Sequence, residues 1–520
     1  MLNTIISPMT DRLLTSATVE LMRELISRFG DRRKEVLASG AMRTQALRDG
    51  KVDYLKETAS IRKAEWLVDP VPAELLERRV ELIGGCTRQE LIEGMNAGAK
   101  TYVADLWNCT PNDPAIILKA HKNIERATDN RLAYVDNDGG RVRINPKSVT
   151  RLMVVPRPLH AQDHAVPSLK EPVPASFFDL AIHAHFNAGK LRLRQGGVHL
   201  YLRGVRGHLE ARLWKDVFEF LEDRLTLPRG TFRATVIVDN LAAVLEADEI
   251  LFELMHHSAG LSLDPQAYAA DHVALFSAPD RPILPDREHI GLDAKFLRSV
   301  SLRTISICHR RQAHAIGAPA FILPPDDHGA MKPGYLEMIA DKEREAVDGH
   351  DGTLVGHPGL VNPAMTEFNK SMARAHQMYY QRTDRSTPAD LMERPEGSLT
   401  TEGLQRSIRT VLRALIGQGS GQGLFVQGGR LHDRSSVRLS TLLIWHWTRS
   451  NVCFITDTGL EVHEDVVKYL IKKEGEKMFA KFDVEGHERT KQAIRTLTVM
   501  ALSPEVPPDL WEGQGSPSIY

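Results

Sequence analysis

Cysteine is scarce in this chain, and the little there is forms no pattern. Cys86, Cys109, Cys308 and Cys453 lie far apart, with no Cys-x-x-Cys pair. That spacing excludes a disulfide framework or thiolate cluster and leaves reduced, structural thiols in a cytoplasmic protein as the expectation. Long apolar runs are missing too, so no membrane span is expected. The opening MLNTIISPMTDRLLTS lacks the basic start and apolar centre of a secretion signal, and the closing Ser-Ile-Tyr is no peroxisomal address. Neither charge dominates: 66 basic against 67 acidic residues leave no electrostatic footprint for nucleic acid or an anionic membrane. Internal repeats and low-complexity arrays are absent as well.

What is present is ordinary globular composition in a chain of 520 residues, too long for one compact domain. Three textures follow one another. Residues 1–95 read as a charge-rich helical segment, with Val19, Leu21, Met22, Leu25 and Ile26 at helical spacing. From 96 to 370, short β-rich runs (152–155, 198–202, 234–238, 272–276 and 304–307) alternate with helical stretches. Such alternation predicts an α/β fold with a parallel sheet, and its size suits a TIM barrel, whose chemistry collects at the C-terminal ends of the strands. Residues 371–520 read as a helical domain, with a loose Pro-, Gly- and Ser-rich tail over 503–520.

One stretch organises the rest. Gly421, Gly423, Gly428 and Gly429 loosen the backbone before the polar knot Arg430-Leu-His-Asp433. Leu442, Leu443, Ile444, Trp445 and Trp447 then form an apolar helix that Ser440 is placed to cap. An acid at the mouth of such a helix is pulled two ways. The helix dipole lowers its pKa and apolar bulk raises it. Asp433 is therefore a candidate general base; the plainer alternative is a capping aspartate with no chemistry.

Leu431-His432-Asp433 and Trp445-His446-Trp447 resemble the catalytic-aspartate region of the type A malate synthase family, where Leu-Met-Glu-Asp precedes a Trp-x-Trp. Other segments agree in order. The run Glu57-Thr-Ala-Ser-Ile-Arg62, Trp66 and Arg78-Arg79-Val80-Glu81 are similar to that family's N-terminal segment. Gly349-His350-Asp351-Gly352-Thr353 and Gly356-His357-Pro358-Gly359-Leu360 are close to a family signature that has Trp in place of Leu354. By themselves these Gly-flanked histidines fit either a ligand-shaping loop or a tight turn. The run Thr401-Glu-Gly-Leu-Gln-Arg-Ser-Ile-Arg409 and the helices around 460–502 resemble a C-terminal helical plug. The resemblance implies a TIM barrel between an N-terminal helical segment and that plug. It also implies an acyltransferase that joins acetyl-CoA to glyoxylate and hydrolyses the thioester. Such chemistry needs a carboxylate for the methyl proton, an arginine for the enolate oxygen, and Mg2+ held by a glutamate and an aspartate.

The base position is kept as Asp433; the others depart. Val155 falls where the resemblance places the catalytic arginine, and Arg157, two residues on, is the candidate substitute. Asp239 falls on the metal glutamate, one methylene shorter. The family's Gly-Leu-Asn-Cys-Gly-Arg-Trp-Asp run reads Gly260-Leu261-Ser262-Leu263-Asp264 here, with Ala267 at the ligand position. The second metal ligand is then open between Asp264 and Asp271. Ala104-Asp105-Leu106-Trp107-Asn108 replaces Asp-Phe-Glu-Asp, and Tyr201-Leu202-Arg203-Gly204-Val205-Arg206 replaces a Pro-Lys-Met-Glu run, although 208–214 is retained.

His183-Ala-His185 in a β-like run, with His160 and His164 nearby, offers a second metal pair, against which stand ordinary core or surface histidines. Three functions remain open at this stage. One is a malate synthase-like acyltransferase taking acetyl-CoA or another acyl-CoA and a 2-oxo acid or aldehyde, with Asp433 as base and Arg157 at the enolate. Another is a true malate synthase with Mg2+ on Asp239 and Asp264 or Asp271. The last is a non-catalytic homologue that binds a CoA ester or a protein.

Overall fold

The computed structural model describes residues 12–164, 166, 172–279, 283–326, 329–383, 386–417, 423–479 and 484–511. Gly421, the opening run as far as residue 11 and residues 512–520 of the tail lie outside them.

Eight parallel strands close a barrel: β1 (Val80–Gly84), β2 (Thr101–Asp105), β3 (Arg151–Val155), β4 (Val198–Leu202), β5 (Phe232–Val238), β6 (Ser258–Leu263), β7 (Ala315–Ala320) and β8 (Gly352–Val355). Each pairs with the next, and β8 pairs back onto β1. The fold is the TIM barrel that the alternation predicts. Strand residues alternate between two environments. Val103, Met153, Val155, Tyr201, Ile237, Ile316 and Leu354 form one cluster inside the ring. Val154, Leu200 and Val236 belong to the larger core beneath the surrounding helices.

Three sequence expectations fail here. The runs 272–276 and 304–307 are not strands; they lie in helices α3 (Pro265–Phe276) and α4 (Lys295–Arg310). Thr304, Ile305 and Ile307 favour strands, but Phe296, Leu297, Val300, Thr304 and Ile307 are buried at helical spacing, and tertiary packing decides. The boundary at 95 also shifts, because β1 lies inside the segment read as helical. Only its first part is the long helix α1 (Ser16–Arg48), capped by Thr15 and packed on α2 (Ala175–Gln195). β6 and β7 escaped notice because Gly, Ala, Ser and Pro dilute their β signal.

Arg78 is fully buried at the foot of the barrel. Its guanidinium donates to Glu81 Oε1 at 2.8 Å, Tyr201 Oη at 2.8 Å and the Ala259 carbonyl at 2.7 Å. A Cβ on Gly352 would lie 1.7 Å from the Arg78 carbonyl oxygen, so β8 can start there only as glycine. His350 at this end is buried and meets Ser301 Oγ at 2.8 Å. His357 caps a turn by accepting from the Gly359 N–H at 3.0 Å. Both belong to the tight-turn reading.

The C-terminal helices α5 (Thr401–Gly417), α6 (Arg434–Arg449), α7 (Glu464–Phe479) and α8 (Val484–Ala501) pack together, and α6 also lies against α3 of the barrel. α6 starts earlier than expected. Asp433 is its N-cap, in a reciprocal box with Ser436. Ser440 sits inside the helix and donates to the Ser436 carbonyl at 2.9 Å, so it caps nothing. Trp447 Nε1 donates to the Leu284 carbonyl at 2.7 Å and Trp445 Nε1 to that of Ser503 at 2.9 Å, locking the helix in place. Before α6 runs a hairpin, β9 (Phe425–Gln427) and β10 (Arg430–His432), turned by Gly428 and Gly429 at φ 59° and 75°. Leu431 donates to the Phe321 carbonyl at 3.0 Å and packs on the barrel's inner cluster. The hairpin thereby seats the start of α6 over the C-terminal ends of the strands. Among the described residues no helix is long and apolar enough to cross a membrane.

Candidate active site

Strand periodicity carries charged side chains to that end. Asp105, Arg203 and Asp239 each stand two residues beyond an inward apolar position, Val103, Tyr201 and Ile237. Asp264 follows β6 directly and caps α3, its Oδ1 accepting from the Ala267 N–H at 3.0 Å. Arg203 lies among these acids. Its Nη1 is 2.7 Å from Asp264 Oδ2 and its Nε 3.5 Å from Asp105 Oδ2. Burial alone would lower the Arg203 pKa. Asp264, Asp105 and Asp239 outweigh burial and raise it, so the guanidinium stays charged. Asp239 is pushed above the usual carboxylate range by burial, against the pull of Arg203 and the Gly204 N–H.

Asp433 meets this group from above and is 2% exposed. Its Oδ1 accepts from the Ser436 N–H at 2.9 Å and its Oδ2 from Asn108 Nδ2 at 3.1 Å. Asn108 Nδ2 also reaches Ser435 Oγ at 2.6 Å, and Ser435 Oγ donates to Asp264 Oδ2 at 2.8 Å. Burial and then the neighbouring Asp264 push the Asp433 pKa up to about 6, against the Ser436 N–H and Arg203. A carboxylate poised there is ionised at neutral pH yet still basic enough to accept a proton. Both influences anticipated for this position are present, and burial wins.

Clefts open on two sides of this cluster. One is lined by Arg203, Asp239, Asn108 and Ser435. The other is lined by Asp433 itself, Asp264, Arg287, Phe321 and Leu431. Arg287 is half-buried, and the desolvation of its guanidinium lowers its pKa to about 10.

Other expected site residues are placed elsewhere. Arg157 is buried and gives its donors to Asp179, Asp163 and Asn112: Nη2 lies 2.8 Å from Asp179 Oδ1, and Nη1 lies 3.1 Å from Asn112 Oδ1. It lines neither cleft, because Pro156 ends the strand alternation and Arg157 turns toward α2, which carries Asp179. Asp271 is also displaced. It sits on α3, where it accepts from the Leu241 N–H at 3.0 Å and pairs with Arg206 at 3.4 Å. Asp264 is the acid that joins Asp239 at the mouth. His183 and His185 lie in helix α2, not a strand, so one is buried and the other exposed, and they cannot share a ligand.

The donor set does not fit the magnesium ion that the resemblance implies. Mg2+ needs several oxygen ligands converging in near-octahedral geometry, with room for the ion between them. Both Asp239 oxygens already accept, from Asn240 Nδ2 at 2.8 Å and the Gly204 N–H at 2.9 Å. Both Asp264 oxygens accept as well, and the space between Asp264 and Asp105 holds a guanidinium. Among the described residues no three His, Cys, Asp or Glu side chains come together as a metal site.

Arg203 and Asn108 are visible in the sequence only as departures from the family's pattern, with no role attached. The period of two running on from Tyr201 to Arg203 was the available signal. Nothing in the sequence marks Ser435 or Arg287 for this site.

The chain is of the class of TIM barrels whose C-terminal rim is closed by a helical domain, here one that carries a buried carboxylate. The comparisons narrow this class. The malate synthase TIM barrel domain matches residues 151–394. A malate synthase of Myxococcus xanthus is 33% identical over 84% of this chain and 81% of its own length. Malate synthase A of Escherichia coli is 32% identical over 93% of each. A solved malate synthase of Haloferax volcanii, in a ternary complex with pyruvate and acetyl-CoA, is 13% identical at a TM-score of 0.46 and covers 80% of this chain and 98% of its own. The chain belongs to the malate synthase family.

Proposed function

We propose that this chain condenses an acyl-CoA, acetyl-CoA first among them, with a 2-oxo acid or aldehyde and hydrolyses the thioester. The observation that carries this reading is Asp433: buried, pushed up to about 6, and facing a cleft from the cap of α6. Asp433 takes a proton from the carbon next to the thioester carbonyl. The enolate carbon then bonds to the acceptor carbonyl carbon, whose oxygen takes up a proton. Water cleaves the thioester and releases the free thiol of CoA. Negative charge developing there has Arg287 beside Asp433 in one cleft and Arg203 in the other. Both cations are preorganised by their neighbours, which is the condition for electrostatic stabilisation to be effective.

Two acceptors are favoured by different observations. The resemblance to malate synthases implies glyoxylate. The replaced polar set around Asp239 and Asp264 points to another 2-oxo acid or an aldehyde, because the original contacts are gone. A thioester-loss assay with acetyl-CoA and glyoxylate, pyruvate or a short aldehyde separates them. Exchange of the acetyl methyl protons with solvent tests the base alone. Turnover with no acceptor together with no exchange would leave a binding protein in place of an enzyme.

A further inference from the structure

We propose that Arg203 is the resident cation of this site: its guanidinium stands where a divalent metal would otherwise balance the carboxylates, and the chain takes up no divalent ion there. Two consecutive residues serve three acids. Arg203 reaches Asp264 at 2.7 Å and Asp105 at 3.5 Å, while the Gly204 N–H reaches Asp239 at 2.9 Å. The local backbone makes this possible. Gly204 has φ 66°, a left-handed conformation suited to glycine, so the chain turns away directly after its N–H has met Asp239. Asp105 is fixed from the other side: its Oδ1 is held by the N–H groups of Trp107 and Asn108 at 2.7 and 2.8 Å, which leaves the buried Oδ2 facing the guanidinium of Arg203.

The chemistry of the two cations differs. A metal ion offers open coordination positions and polarises a carbonyl directly. A guanidinium offers N–H donors in a plane and suits a carboxylate or an oxyanion. Arg203 lines the cleft beside Asp239 as well as pairing with the acids, so an anionic acceptor entering there meets a charge the protein itself supplies. This consequence for the acceptor rests on the proposed condensation. The absence of metal uptake does not, and it is read without turnover.

The experiment is a Mn2+ titration of the chelator-treated full chain, followed by the electron paramagnetic resonance of free Mn2+, with and without pyruvate or glyoxylate. No saturable binding is expected in any arm. One Mn2+ per chain at micromolar affinity, in any arm, overturns the proposal. Arg203→Gln removes the positive charge and leaves three acids facing one another. It is expected to bind Mn2+ saturably where the wild type does not, since a unit charge a few ångströms away is worth about tenfold or more in affinity. A variant with the wild-type melting curve and no gain also overturns the proposal. If the variant does not fold, the wild-type titration decides alone. A chain that condenses no acceptor yet binds no Mn2+ sinks the proposed function and leaves this inference standing.

Discussion

Asn108 donates to Asp433 across 3.1 Å, although 325 positions of sequence separate them. This bond joins the loop after β2 to the cap of α6, and so fixes the base relative to the barrel. It also stabilises the ionised carboxylate. Asn108→Ala should therefore raise the Asp433 pKa further. The acid limb of kcat/KM should move to higher pH, with activity largely restored on the alkaline side. An unmoved limb would mean that the bond does not act on the base.

Asp433→Asn separates chemistry from capping. Asparagine caps a helix about as well as aspartate. Methyl-proton exchange and turnover should fall by about 10²–10⁴-fold, the usual worth of a positioned base, while the melting temperature holds or rises. A variant that melts early would indicate that the carboxylate is needed for the fold.

The pH dependence has a definite sign. The folded pKa of Asp433, about 6, lies above its ordinary 3.8. Between those values the native state binds more protons than the unfolded chain, so stability declines as pH rises through that window. Above it the ionised group costs on the order of 1–3 kcal/mol. Activity runs the other way, rising with pH through about 6. Urea melts and rate profiles over pH 4–8 should show the two trends opposed.

Arg157 should prove structural. It sits with Asp179, which burial would raise but Arg157 and His121 hold down at about 2. Stability from that pair is present above the ordinary pKa of 3.8 and lost as pH falls toward 2. Arg157→Met leaves Asp179 buried without its main partner and should cost about 3–5 kcal/mol in urea denaturation. Activity per folded molecule should stay within a fewfold. A large loss of kcat in a folded variant would restore Arg157 to the chemistry.

The barrel was legible because β3, β4 and β5 are dense in Val, Leu and Ile, and the helical plug because α6 keeps its apolar face. β1, β6 and β7 were hidden by charge or by small residues, and α4 by its β-branched ones. Asp433 and Asp239 could be found from their place after a recognisable element. Arg157 misled because the period of two was carried past Pro156, where the strand ends. Arg203 was within reach of the same rule applied to β4. Asp264 and Asp271 could not be told apart from spacing, since the choice depends on where β6 stops and α3 begins.

The hairpin that seats Leu431 against the barrel has a temporal consequence. A ribosome completes all eight strands before it has made the residue that would abstract the proton. The reactive carboxylate therefore reaches the strand ends only when the last helices dock.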